Sequence, residues 1–135
     1  MNPASVDIKD ILVVETSLGL TFKTNLFIGK EPATPDATVT IFDTPGQPNE
    51  LLLVGKSELT YEYPAIQIRV RNLAYLTGWA FAESIKTFLH GLSGQVKNNA
   101  KYDLIECIQG PFLLDWDERD RVRIVLTFNI TRKSA

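Results

Sequence analysis

The feature that most constrains this sequence is a strict alternation of apolar and polar side chains near its end. The alternation runs over residues 121–131. One set of alternate residues is apolar throughout: Val122, Ile124, Leu126, Phe128 and Ile130. The other set is mostly polar: Arg121, Arg123, Val125, Thr127 and Asn129. A period of two predicts a β-strand with one buried face. The fold must therefore contain a sheet with one covered face and one that meets solvent or a partner.

Two segments with helical spacing are predicted to cover that sheet. In the first, Ile8, Ile11 and Leu12 share one face, Ser5 or Asp7 serves as N-cap, and Gly19 ends the helix. The second runs over residues 73–90 after an Asn72 cap and ends at Gly91 and Gly94. Its predicted core stripe steps by three and four: Ala74, Gly78, Phe81, Ile85, Phe88 and Leu92.

Further short segments predict the other strands. They are rich in β-branched or alternating apolar residues and cover residues 25–28, 38–42, 51–54, 65–71, 102–109 and 112–116. Residues 29–36 and 43–49 are predicted loops, and residues 117–120 a hairpin turn. The sequence predicts one domain over residues 1–135, an α+β two-layer sandwich of about five or six mostly antiparallel strands packed by two helices. Which strands are neighbours stays open.

Composition excludes several classes of protein. Fourteen basic against 16 acidic residues give a net charge of −2, so tight DNA binding is not expected. No apolar run approaches the roughly 20 residues that span a membrane, and the first residues lack the pattern of a signal peptide. We expect folding in a cytoplasm. The single cysteine, Cys107, lies in an apolar run and is interpreted as a small buried residue of a strand.

Two fragments resemble nucleotide-binding loops. Residues 43–46 read Asp-Thr-Pro-Gly and residues 55–57 read Gly-Lys-Ser. A phosphate-binding loop needs a glycine where Glu50 stands, and too few residues remain before Pro64 for the helix that must follow. The order of the two fragments is also reversed. Two surface turns are the better interpretation.

Other candidate sites also favour structural roles. His90, the only histidine, lacks partners for a triad or a zinc site and is placed where its positive form suits a helix C-terminus. The acidic run over residues 115–120 lacks the glycine and glutamate of a calcium loop. We therefore predict no catalytic residue, no metal and no cofactor.

Nine residues are candidates for a subunit interface: Tyr75, Trp79, Trp116, Asp117, Glu118, Arg69, Arg71, Arg121 and Arg123. Tyr75 and Trp79 lie on the helix side away from the Phe81 stripe, which is typical of a helix that is buried twice. Trp116 is an aromatic residue in an acidic turn. The four arginines form a cluster if their strands are adjacent. A solvated sheet face with ion pairs is favoured over an interface or a contact with passing DNA.

Two segments resemble the minor capsid or tail-terminator family of small phage neck proteins. One is residues 32–46, a proline-aspartate loop that leads into a strand and a second turn. The other is residues 63–72, which run into the helix bearing Tyr75, Ala82 and Leu89. The leading helix and the final strands follow the same order.

The resemblance implies a structural virion protein of a tailed phage, assembled in the host bacterial cytoplasm. Such proteins form a ring, usually a hexamer, on the tail tube. The ring stops tail polymerisation, docks the head connector and lets DNA cross its central hole without specific binding. The family supplies no catalytic residue. A different neck adaptor ring is the first alternative, and a small enzyme or nucleotide-binding protein is the second.

The two predicted loops carry one further expectation. Residues 29–37 and 43–50 contain several Gly and Pro residues and lack apolar anchors. We predict that both are mobile in the free protein and become ordered on assembly.

Overall fold

The computed structural model describes residues 1–48 and 61–135, which form a layer of two helices on a sheet of six strands. The helices are α1 (Ala4–Val14) and α2 (Tyr75–Leu89). The strands are β1 (Leu26–Ile28), β2 (Thr38–Gln47), β3 (Tyr63–Asn72), β4 (Gln95–Lys97), β5 (Ala100–Trp116) and β6 (Val122–Ser134). The predicted α+β class and its mostly antiparallel sheet are confirmed. The strand predicted at residues 51–54 lies outside the described residues.

The sheet has the order β1-β2-β3-β6-β5-β4. Only the pairing of β1 with β2 is parallel among these strands, and the others are antiparallel. Strands β3 and β6 occupy the centre, with Ile68 opposite Leu126 and Arg71 opposite Arg123. The edges are therefore β1 on one side and β5 with the short β4 on the other.

The alternation in β6 places its apolar set against the helices, as predicted. All five of those side chains are at most 1% exposed: Val122, Ile124, Leu126, Phe128 and Ile130. Gly78 lets α2 approach this face closely, because a Cβ at that position would lie 3.3 Å from Cδ1 of Ile124. None of the helices in the described ranges is long and apolar enough to cross a membrane.

Helix α2 differs from the prediction in its start and in its buried face. It begins at Tyr75, and Asn72 is the last residue of β3, from where its side-chain oxygen accepts a 3.0 Å hydrogen bond from the Ala74 N–H. The buried set is Gly78, Ala82, Ile85 and Leu89. Ala74 is exposed, and Phe81, Phe88 and Leu92 are only partly buried. Gly78 and Ala82 face the sheet because small residues allow close packing. The larger side chains of Phe81 and Phe88 therefore lie at the side of this contact and are only partly buried. Gly91 directly follows the C-cap residue His90 with a positive φ of 82°, as expected of a helix-ending glycine. Gly94, with a φ of 71°, directly precedes β4 and does not end the helix, contrary to the prediction.

Helix α1 does not use Ser5 or Asp7 as its N-cap. It begins at Ala4 after Pro3, and Ser5 donates from its N–H and hydroxyl to the carboxylate of Asp43 at 3.0 and 2.6 Å. A carboxylate from β2 thus satisfies the free N–H group that a local cap would have bonded. The helix ends at Val14, and Gly19 instead ends a short 3₁₀ helix (Thr16–Leu18).

A buried polar network ties α1 to the sheet. The Tyr102 hydroxyl donates to Asp7, whose carboxylate also accepts a 2.6 Å hydrogen bond from Asn98. The Arg132 guanidinium donates to the Tyr102 oxygen at 3.0 Å and lies 3.6 Å from Asp7. Burial and the hydrogen bond to Asp7 raise the pKa of Tyr102, so its hydroxyl keeps the proton that it donates.

Strand β5 unites the two strands predicted at residues 102–109 and 112–116. Its pairing with β6 has four irregularities, and the one between Gln109 and Phe112 absorbs the residues that separate the two predicted strands. Gly110 sits at one of these, where a Cβ would lie 2.6 Å from the Val125 carbonyl oxygen. Strand β2 likewise extends to Gln47, so residues 43–47 are strand where the sequence predicted a loop.

Candidate assembly surface

Arg69 and Arg71 lie on β3, Arg123 lies on the adjacent β6 and Arg121 directly precedes β6, so the four arginines form a cluster. Arg71 is only 2% exposed and donates to the carbonyl oxygens of Pro32 and Pro35, both at 2.6 Å, and of Asp36 at 3.2 Å. The guanidinium of Arg71 also lies 3.4 Å from Glu31. Burial lowers the pKa of Arg71, with Glu31 opposing the shift. This side chain therefore fastens the loop between β1 and β2 onto the sheet.

Arg121 fastens the same loop to the β5–β6 turn. Its guanidinium pairs with Asp117 at 2.7 Å and donates to the Ala33 carbonyl at 2.6 Å. It also lies 3.3 Å from Asp36, and the residue is 5% exposed. The solvated interpretation therefore does not hold for Arg71 and Arg121, because both guanidinium groups are used inside the protomer. The loop is held by polar anchors where apolar ones are lacking, and its mobility in the free protein stays a prediction.

Arg69 and Arg123 remain closer to the surface. Arg123 is shared between Glu31 at 3.6 Å and Asp115 at 3.2 Å. The Arg69 guanidinium lies 4.7 Å from the ring centre of Phe42 and donates to Gln67 at 3.1 Å. The cluster thus holds parts of one protomer together, and two of its four arginines, Arg69 and Arg123, are partly exposed.

The turn at residues 117–120 is a hairpin turn, as predicted, and Asp117 organises it. The Asp117 carboxylate accepts hydrogen bonds from the N–H groups of Arg119 and Arg121, both at 2.9 Å. Desolvation opposes its ionisation, but these N–H groups and the Arg121 guanidinium outweigh that effect and lower the pKa of Asp117 to about 2. Glu118 and Asp120 are exposed on the outside of the turn.

Three aromatic interface candidates meet in a single stack. The rings of Tyr75 and Trp79 are 6.0 Å apart, and those of Tyr75 and Trp116 are 6.4 Å apart. Trp79 packs against the core, whereas Trp116 is 49% exposed. The stack joins the first turn of α2 to the end of β5. The sequence supplied each residue, and the fold brings them together.

The stack continues into an apolar surface that the sequence analysis missed. We call residues 108–116 of β5 the β5 arm. Its large apolar side chains are all between 38% and 49% exposed: Ile108, Phe112, Leu113, Leu114 and Trp116. Leu73 and Leu76 at the start of α2 are 57% and 79% exposed. The signal was present in the unbroken run at residues 112–114, which does not alternate as a half-buried strand should.

His90 and Cys107 join α2 to β5 just before the arm begins. The Cys107 N–H donates to Nδ1 of His90 at 2.9 Å. Cys107 is partly buried against the core, and burial raises the pKa of its thiol, which disfavours the reactive thiolate. The predicted dipole role of a charged His90 stays a prediction.

Only one of the two fragments that resemble nucleotide-binding loops lies in the described part of the chain. Asp43 lies in β2 and bonds Ser5, so its carboxylate is already used. The residues at 55–57 lie outside the described part of the chain. Across residues 1–48 and 61–135, no three His, Cys, Asp or Glu side chains are grouped so as to hold a metal ion.

Comparisons with known proteins fit these features. No curated protein matches the sequence. A chain from the virion of a native gene transfer agent particle is similar in structure, with a TM-score of 0.64 and 15% sequence identity over 98% of this chain and 94% of that chain. That likeness shows a shared fold. A family model described as bacteriophage tail terminator protein matches residues 6–133. The resemblance found in the sequence is therefore confirmed: this chain belongs to the bacteriophage tail terminator family of structural phage proteins.

Proposed function

We propose that this chain is one subunit of a closed ring, a hexamer, that caps the tail tube and ends its polymerisation. Its opposite face docks the head connector, and DNA passes through the central hole. The family match over residues 6–133 is the observation that carries this proposal. The site of action is the virion tail, and assembly takes place in the host bacterial cytoplasm.

The exposed apolar surface supports a role in an assembly. Monomeric proteins rarely leave a contiguous set of large apolar side chains exposed. Here the β5 arm and the first turn of α2 do so, joined by the Tyr75–Trp116 stack. Such a surface is stabilised when a partner covers it.

Charge and site chemistry support a structural role. A net charge of −2 suits a channel along which DNA slides, because a strongly basic lumen would retain it. Polymer growth ends because the two faces of the ring differ in shape. One face matches the tube, and the other offers the next tube ring no complementary surface. We propose no catalysis and no cofactor.

The test is to add the purified protein to polymerising tail tube protein and image the products. We expect short tubes, each bearing one ring of this protein at one end. Tubes of unlimited length with free ends would contradict the proposal. Rings that bind only the portal side of the head would assign the chain to a neck adaptor instead.

A second measurement addresses the nucleotide alternative. We expect no change in unfolding temperature when GTP and magnesium are added in large excess, because a ligand stabilises only the state that binds it. A stabilisation of several degrees would contradict the purely structural role.

A further inference from the structure

The β5 arm lacks a neighbour on its outer side within the described part of the chain. Strand β4 covers only Ala100 to Tyr102, and Leu92 bridges to Ile105. The His90 ring then bonds the Cys107 N–H. Beyond that point, within residues 1–48 and 61–135, β5 pairs only with β6. In this part of the chain the arm therefore forms an open edge of the sheet.

The arm is apolar on both of its faces. Leu113 lies opposite Ile124 on the helix side, whereas Phe112 lies opposite Val125 on the other side. A strand of this kind is buried on both faces when its partner is present. Pro111 and the irregular pairing make its backbone a poor template for an added strand. Side chains must therefore make the contact.

The opposite edge of the sheet carries a matching groove. We call it the β1 groove, and it has a volume of about 600 Å³. Its lining includes the apolar Phe22, Phe27, Ile28 and Pro32 and the charged Lys23, Lys30 and Glu31. Phe22 is 37% exposed, and both lysines are exposed. The groove thus combines apolar side chains with two exposed lysines.

The charges of the two surfaces are complementary. The turn that follows the arm carries two exposed carboxylates, Glu118 and Asp120, and one exposed cation, Arg119. Asp115 at the end of the arm is also exposed, but its carboxylate pairs with Arg123 at 3.2 Å. The groove presents Lys23 and Lys30, while Glu31 beneath them is committed to Arg71 and Arg123. Opposite charges at the rim of an apolar contact select the partner and its orientation.

We propose that the β5 arm of one copy docks in the β1 groove of the next copy, with Glu118 and its neighbours facing Lys30. This inference rests on the proposed ring. Two different surfaces of one chain make a head-to-tail contact, and such contacts close into rings when the rotation between copies closes. A second copy fits better than another protein because both halves of the contact lie on this chain.

The first test uses two variants, Leu114→Asp in the arm and Phe22→Asp in the groove. Each alone should remain a monomer by sedimentation. Mixed together they should form heterodimers and nothing larger, because the mixture contains one intact arm and one intact groove. Val96→Asp is the matched control: Val96 is 56% exposed on β4, away from both surfaces, and its variant should assemble as the unchanged protein does. Circular dichroism verifies that all three fold.

The second test reverses the charges. Glu118→Lys or Lys30→Glu alone should weaken assembly at least about tenfold, because like charges then face each other. The chain carrying both changes should recover most of the loss. Failure of the double variant to recover would contradict the assigned pairing.

The outcomes separate this inference from the proposed function. Arm and groove variants that still form rings would overturn the inference and leave the capping role standing. Arm variants that form rings but no longer stop tube growth would also overturn it, since the arm would then dock the tube. Wild-type protein that stays single both in solution and on tube ends would overturn both.

Discussion

The two halves of β5 both pair with β6 and both carry apolar side chains, but only the first half is buried under the helices. In the first half, the helix-facing side chains Tyr102 and Ile105 are fully buried. On the same face of the β5 arm, Leu113 and Trp116 are 43% and 49% exposed. Helices α1 and α2 cover the first half, and only the start of α2 reaches the arm. The first half therefore builds the protomer, and the arm is available to a partner.

The comparison shows that apolar character alone does not place a residue in the core. Polar contacts hold the turn that follows the arm. Asp117 pairs with Arg121, and Arg121 donates to the Ala33 carbonyl of the loop between β1 and β2. These contacts hold the turn in place without burying the apolar side chains of the arm. A preformed surface of this kind binds at a lower entropic cost than a flexible one.

The largest expected effect compares two isoleucines on the two halves. Ile105→Ala should lower the free energy of unfolding by about 3 kcal/mol, because it leaves a cavity under the helices. Ile108→Ala, at a residue 46% exposed, should lower it by less than about 0.5 kcal/mol. Urea denaturation of both variants as monomers measures the difference. Equal losses would show that the arm is part of the protomer core.

A smaller effect compares two tyrosines. Tyr102→Phe should cost about 2 kcal/mol, because Asp7 and Arg132 each lose a buried hydrogen-bond partner. Tyr75→Phe keeps the stacked ring against Trp116 and should change stability by less than about 0.5 kcal/mol. Thermal unfolding of the two variants distinguishes these values. A large loss of stability in Tyr75→Phe would show that the Tyr75 hydroxyl contributes to the stability of the fold.

The smallest effect is the acid sensitivity of the turn. Because the folded pKa of Asp117 is about 2 and the unfolded value is about 4, its stabilisation is complete above pH 4 and is lost as the pH falls toward 2. Asp117→Asn should cost about 1.5 kcal/mol at pH 7. The gap between the variant and the unchanged protein should shrink as the pH falls from 4 to 2. A difference in stability that stays constant over this range would show that the charge of Asp117 does not contribute to stability. Glu118→Gln, at an exposed residue of the same turn, serves as the control.

The fold class could be predicted because its main signal is local. The alternation of β6 and the spacing of Ile8, Ile11 and Leu12 directly encode one buried face each. The exact phase of α2 could not be predicted, because it depends on how closely Gly78 approaches Ile124. Likewise, the first turn of α1 is satisfied by Asp43, which is distant in sequence and which only the tertiary structure supplies.

The candidate surface could be predicted residue by residue but not as an arrangement. Tyr75 and Trp79 were identified together on one side of the helix and Trp116 separately, and the fold was needed to stack Trp116 on Tyr75. Arg71 and Arg121 were interpreted as surface groups, because a strand pattern does not reveal that a loop folds over its polar face. The apolar run at residues 112–114 was interpreted as ordinary strand, since exposure depends on where the helices end.

The central claim is that the apolar arm serves assembly with sister copies. Sedimentation of the wild-type protein beside Leu114→Asp and Val96→Asp tests it most directly. We expect a closed ring with a mass that is a multiple of 15.1 kDa for the wild type and Val96→Asp, and a folded monomer for Leu114→Asp. A wild type that sediments at 15.1 kDa at every concentration, alone and with tail tubes, would contradict it.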